Sequence, residues 1–207
     1  MPVISTVFSS FNSLVKLTHS LIFEAVRAGD IVIDATVGNG CDTQFLLKLI
    51  GSSGRVIGFD IQQAAITATL KRLKDQDNHD CLELINASHA NLVELIPSVY
   101  RGKISAVMFN LGYLPGGDKQ IITQAESTID ALFAATQVLS DCGIITVLVY
   151  PGHLGGKLEA DTVSRWCSRL DSKQFHVALY RNRPENSFAP ILFVLNRIAI
   201  DENQDML

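Results

Sequence analysis

Short apolar runs alternate with stretches of helical spacing through most of this 207-residue chain. The runs cover residues 31–34, 55–60, 81–85, 104–109 and 144–149. Runs so continuously apolar suit strands covered on both faces, as in a parallel sheet. Parallel strands need long crossovers, and the segments between these runs supply them. A helix over 43–50 is expected to open after Asp42 as its N-cap. Residues 62–73 carry apolar side chains at helical intervals, and 121–139 form a longer amphipathic stretch. The pattern predicts a doubly wound α/β sheet with helices on both faces.

The C-terminal part breaks this alternation. Residues 174–180 and 191–198 both read as strands, and only the loop 181–190 separates them. That loop has no room for a crossover helix, so the pair is expected to be antiparallel. A parallel sheet closed by an antiparallel hairpin resembles the Rossmann-like class I methyltransferase topology, with seven strands. No second domain or repeat is apparent. One domain over 1–207 is expected, with an N-terminal helical cover at about 9–28.

Composition narrows the function classes. Apolar residues make up 47% and charged residues 18%, the reverse of a disordered chain. No apolar run reaches the length of a membrane span, and the N-terminus lacks a signal-peptide pattern. A cytoplasmic location is the expectation. Cys41, Cys81, Cys142 and Cys167 show no C-x-x-C spacing, so free, mostly buried thiols and no metal are expected. The net charge of −4 differs from that of a strongly basic nucleic-acid binder. Residues 151–197 nevertheless hold seven basic against four acidic residues, which suits either a mixed surface or a local binding patch.

Asp34-Ala35-Thr36-Val37-Gly38-Asn39-Gly40 follows the first strand and leads into a helix. Glycines there permit tight turning and close approach of backbone to a ligand. Asp60 ends the next strand, where a carboxylate can accept hydrogen bonds from both hydroxyls of a ribose. Strand, glycine turn, helix and acid together point to a nucleoside-containing cofactor. A dinucleotide fingerprint needs a third glycine, and Thr43 stands in its place. Asp34 favours S-adenosylmethionine (SAM): an acid here can order the loop and receive a cationic amino group, whereas it would repel a pyrophosphate. The cofactor candidates are Asp34, Thr36, Gly38, Asn39, Gly40, Asp42, Thr43, Asp60, Gln62, Ser88, His89 and Asn110. Ser88 and His89 follow the third strand, where the adenine edge should fall. His89 can equally be a helix-start residue.

The fourth strand runs into Asn110-Leu111-Gly112-Tyr113-Leu114-Pro115-Gly116-Gly117-Asp118-Lys119. Its N-x-x-Y spacing resembles the Asn-Pro-Pro-Tyr motif of amino-group methyltransferases. In those enzymes the asparagine and a backbone carbonyl accept hydrogen bonds from the target amine, and the tyrosine stacks on the base. Asp118 and Lys119 add polar groups to the loop. His153 follows the fifth strand at the same rim and can bind substrate, shuttle a proton or be structural. Arg183, with Asn182, can hold phosphate from the hairpin loop. Asn110, Tyr113, Asp118, Lys119 and His153 are the catalytic candidates. Methylation at a base carbon would usually use a cysteine in this loop, and none is present.

The stretches 34–43, 58–62 and 110–119, with Gly152-His153, resemble a bacterial family long labelled rRNA methylases and now assigned as tRNA 5-aminomethyl-2-thiouridine methyltransferases. The resemblance runs from about Leu14 to Arg197. It implies N-methylation of the aminomethyl group on the wobble uridine, with SAM as donor and the tRNA anticodon region as partner. It places Asp34, Gly38, Gly40, Asp60 and Gln62 at the cofactor and Asn110, Tyr113, Asp118 and Lys119 near the acceptor. One proline follows Ala189 where the family has two. Other readings are an rRNA or small-molecule methyltransferase and a non-catalytic module that holds SAM or a nucleotide. The oligomeric state stays open, a homodimer included.

Overall fold

The computed structural model describes the backbone of residues 5–8 and, in full, residues 13–118, 120–183 and 185–199. One mixed sheet forms the centre. Its strands are β1 (Ser5–Phe8), β2 (Ile31–Asp34), β3 (Arg55–Asp60), β4 (Leu82–Asn86), β5 (Ile104–Asn110), β6 (Leu139–Val149), β7 (Phe175–Arg181) and β8 (Ile191–Arg197). They lie in the order β1-β7-β8-β6-β5-β2-β3-β4. Strands β2 to β6 pair in parallel, and β8 runs antiparallel between β6 and β7. The seven expected strands are therefore joined by an eighth, β1, which pairs in parallel with β7 at the sheet edge. Four residues are too few to carry a periodic signal, so β1 was not anticipated.

Adjacent residues on each central strand feed opposite faces, as the pleat requires. Val32 and Val56 belong to the core layer to which α1 (Leu14–Ala25), α2 (Cys41–Ile50) and α3 (Gln63–Leu73) contribute Leu17, Ile22, Leu46, Ile50 and Leu73. Ile33 and Ile57 face the other side, where α4 (Leu92–Leu95), α5 (Ala125–Val138) and α6 (Gly156–Cys167) contribute Leu92, Leu132, Ala135 and Val163. Both layers are dry: Ile33, Ile57, Leu46 and Ile50 are completely buried. Each such side chain contributes roughly 1.5–3 kcal/mol through burial. Helix α1 lies over β5, β6 and β8 on the sheet face. It covers less than the expected 9–28, of which residues 9–12 lie outside the described part.

Two helix starts differ from expectation for local reasons. Helix α2 starts at Cys41, and Gly40 is its N-cap at φ +75°. That left-handed backbone suits glycine, and a Cβ there would sit 2.7 Å from Thr69 Oγ1. Asp42 is thus inside the first turn and is not the cap. Helix α5 begins at Ala125, because Ile122 pairs back on Tyr113 in an isolated bridge. Helix α6 carries no large apolar stripe: it buries Gly156, Glu159, Ala160, Val163 and Cys167 and leaves Leu158 exposed. The thiols also depart from expectation. Only Cys167 is buried, Cys81 is half-buried, and Cys41 and Cys142 are exposed.

Candidate functional site

The C-terminal ends of β2 to β6 converge on one cavity of about 790 Å³. Such a crevice is where open α/β sheets bind ligands, and its size suits a nucleoside-sized molecule. The β2–α2 loop forms one wall, held from beneath by Asp34. This carboxylate accepts the Thr36 N–H at 3.1 Å and the Thr43 hydroxyl at 2.6 Å. Burial, and then the negative charge of Asp42, push its pKa up to about 7. Asp34, Gly40 and Thr43 lie behind the wall, whereas Thr36, Gly38, Asn39 and Asp42 line it.

Asp60 closes the loop from the β3 side. Its two oxygens accept the N–H groups of Gly38 (2.9 Å) and Gln62 (2.8 Å). Each oxygen keeps a second lone pair for a ligand hydroxyl. Thr69 Oγ1 and Arg72 Nε hold the loop from α3 by donating to the carbonyls of Gly38 and Asn39. Asn39 Nδ2 donates in turn to Pro115 O, which joins the two motif loops across the mouth.

Gln62, Ser88 and His89 line the β3–β4 end of the cavity. Ser88 Oγ accepts the Ala90 N–H and so caps the next turn. His89 is buried, with Nδ1 3.0 Å from Ala35 O and its ring edge-on to Phe109. A carbonyl only accepts, so Nδ1 carries the proton and Nε2 the lone pair. Burial lowers the pKa of this imidazole, which keeps it neutral.

Asn110 stands at the opposite end. Its backbone N–H donates to Thr36 Oγ1 at 2.7 Å, and its Nδ2 donates to Asp42 Oδ2 at 3.2 Å. Asp42 Oδ1 lies 2.7 Å from His19 Nε2. A carboxylate accepts only, so the amide must turn its NH₂ end to Asp42 and its carbonyl end away. Tyr113 is 40% exposed on the same wall, and its ring meets His153 edge-on at 6.0 Å. His153 Nδ1 donates to Leu154 O, while its Nε2 is buried with no hydrogen-bond partner among the described residues. Tyr150 also lines the cavity. Burial and the Asp42 charge raise its pKa to about 12, so it stays a neutral phenol.

The remaining candidates separate. Asp118 accepts the Gln120 N–H and does not line the cavity. Lys119 lies outside the described residues. Asn182 and Arg183 are also off the wall; Phe188 and Pro190 of the same loop are on it. Several site residues carried no local signal in the sequence. His19, on α1, reaches Asp42 across 23 positions. Glu159, on α6, is buried and accepts the hydroxyls of Thr123 (2.9 Å) and Thr128 (2.7 Å). Thr123 Oγ1 accepts the Gly112 N–H, so this acid anchors the 110–119 loop.

Among the described residues, no group of three or more His, Cys, Asp or Glu side chains could hold a metal ion. No helix among them is long and apolar enough to cross a membrane. The family model described as "Putative rRNA methylase" matches residues 56–196. A chloroplastic tRNA (mnm(5)s(2)U34)-methyltransferase of Arabidopsis thaliana is 37% identical over 187 residues; the match covers 86% of this chain and 66% of that protein. The crystal structure of a protein described as a "putative rRNA-methylase" from Clostridium thermocellum superposes with a TM-score of 0.86 at 40% identity, covering 92% of this chain and all of the other. A Streptococcus mutans methyltransferase solved with SAH gives 0.79 at 30% identity, covering 91% and 99%. The chain therefore belongs to this rRNA methylase family, among the class I SAM-dependent methyltransferases.

Proposed function

We propose that this chain methylates the amino nitrogen of 5-aminomethyl-2-thiouridine at the wobble position of tRNA, with SAM as donor, in the cytoplasm. The observation that carries the reading is the fixed Asn110 amide, whose NH₂ end is committed to Asp42. Its carbonyl end is left to accept an N–H from a substrate amine. The Arabidopsis relative named for this same modified uridine supports that acceptor.

The cavity fits the donor. Asp60 offers lone pairs for a ribose, Gln62, Ser88 and His89 surround the place of an adenine, and Asp42 offers negative charge to a cationic amino acid moiety. Asp34 orders the loop beneath. When bound, SAM supplies an electrophilic methyl group, and an amine nitrogen held about 3–3.5 Å away needs little further catalysis. The chain's own work is therefore orientation. Asn110 Oδ1 aims the neutral amine, and Tyr113 offers a π-face for the base. His153 backs the Tyr113 ring. Leu111 and Ile122 help to keep water from the acceptor end.

Nucleoside mass spectrometry on a deletion strain tests the reading. The expected result is tRNA with accumulated 5-aminomethyl-2-thiouridine and no methylated product. An unchanged tRNA profile with a missing rRNA methyl group moves the substrate to ribosomal RNA.

A further inference from the structure

We propose that His19 is a positioning residue that holds the Asn110 amide in its working orientation by way of Asp42. The inference rests on the reading of Asn110 as the group that aims the acceptor amine. Three side chains from three elements form one chain of contacts. His19 Nε2 lies 2.7 Å from Asp42 Oδ1, and Asp42 Oδ2 receives Asn110 Nδ2 at 3.2 Å. Because the carboxylate only accepts, both nitrogens donate, and the direction of each bond is set. The His19 ring also stacks on Phe45 of α2, with centroids 4.0 Å apart and the planes parallel. Helix α1 thus grips α2 twice, once through the ring and once through the N–H.

The terminal torsion of an aspartate is soft. With only Asn110 bonded to it, the Asp42 carboxylate could rotate, and the amide would follow. The His19 N–H removes that freedom. The Asp42 side chain is only 11% exposed, so water is a poor replacement for the lost donor. His19 does not line the large cavity. It borders a small hollow, closed by Val15, Met108 and Leu148, behind Asp42 and Asn110. It therefore acts on substrate through its neighbours.

Two substitutions separate the bond from the packing. His19→Phe keeps a ring to stack on Phe45 and removes the donor. His19→Gln keeps an amide N–H at a similar reach. The full-length variants are assayed on tRNA from the deletion strain, with SAM affinity by calorimetry and Tm measured in parallel. The expected result for His19→Phe is a kcat lowered between about tenfold and a hundredfold, with Tm within a few degrees and SAM Kd within about threefold of wild type. His19→Gln recovers most of the loss. A His19→Phe enzyme with wild-type kcat overturns the proposal. So does an equal loss in both variants that follows Tm, which would leave His19 a helix-docking residue only. If wild type fails to methylate this tRNA, the functional reading falls. The side-chain amide resonances of Asn110 by NMR then decide the positioning separately. They shift in His19→Phe and return in His19→Gln if it holds, and they stay unchanged in both if it does not.

Discussion

Thr36 Oγ1 accepts the backbone N–H of Asn110 at 2.7 Å, so the end of β2 carries the first residue of the 110–119 motif on β5. One hydroxyl therefore ties the 34–40 loop to the residue whose amide is proposed to face substrate. Thr36→Val keeps the shape and leaves that N–H unpaired. An unsatisfied buried donor costs about 1–3 kcal/mol. Urea unfolding is expected to show a loss of that size, together with reduced turnover, while Thr36→Ser stays near wild type. Equal stability in Thr36→Val and wild type would remove this bond from the account.

Asp34 makes stability depend on pH in a predictable direction. Its pKa rises from an ordinary 3.8 to about 7 in the folded chain, because burial and the Asp42 charge disfavour the anion. Between those two values the folded state holds a proton that the unfolded state has released. Stability from this group is complete below about pH 4 and is lost as pH rises towards 7. Asp34→Asn is expected to flatten that part of the profile, as read by urea unfolding across pH 4–8. A cationic ligand next to this site should also expel the proton. SAM binding near pH 7 is then expected to release protons in wild type and not in Asp34→Asn. Calorimetry in buffers of different ionisation enthalpy checks this, and equal release in both sinks it.

Much of this arrangement was legible in the chain. The runs that became β2 and β3 have continuous β-branched and aromatic character, and their bounds were read as they stand. The glycine loop and Asp60 follow from strand ends, which sequence marks well, and the structure brings both to one cavity. Positions that depend on tertiary partners were hidden. Asp42 looked like a cap because acids favour that place, yet only glycine suits the φ of +75° at position 40. The contacts of His19 and Glu159 join elements far apart in sequence, and no local spacing encodes them. Helix α6 is mostly polar and buries small residues and an acid, so few large apolar side chains mark it in the sequence.

Asn110 tests whether orientation or cofactor binding dominates at this wall. Asn110→Ala removes the carbonyl that would receive the amine and leaves Asp60, Gln62 and His89 in place. Loss of one preorganised polar group of this kind costs on the order of 10²–10³ in turnover. The expected outcome is a kcat lowered by about that factor with SAM Kd within about threefold. Parallel loss of both would assign Asn110 to the donor instead.

Glu159 tests the support of the 110–119 loop. Its two oxygens are the partners of the hydroxyls of half-buried Thr123 and buried Thr128. Glu159→Ala orphans both hydroxyls at about 1–3 kcal/mol each. It also frees Thr123, which fixes the Gly112 N–H two residues beyond Asn110. Lower stability by urea unfolding and a raised KM for tRNA are expected together. A stability loss with unchanged KM and kcat would show that α6 only supports the fold.

Tyr113 and Phe188 line the same cavity from two different loops and are 40% and 66% exposed. A base stacked on such a ring gains roughly 1–3 kcal/mol, which corresponds to between about fivefold and 150-fold in binding. Tyr113→Ala is expected to raise the KM for tRNA within that range, and Tyr113→Phe to restore it, because the ring carries the contact. Phe188→Ala should act in the same direction. SAM affinity, measured without tRNA, should not move in any of the three. If Tyr113→Phe proves as poor as Tyr113→Ala, the hydroxyl and not the ring is what the substrate meets, and stacking at this wall is the wrong description.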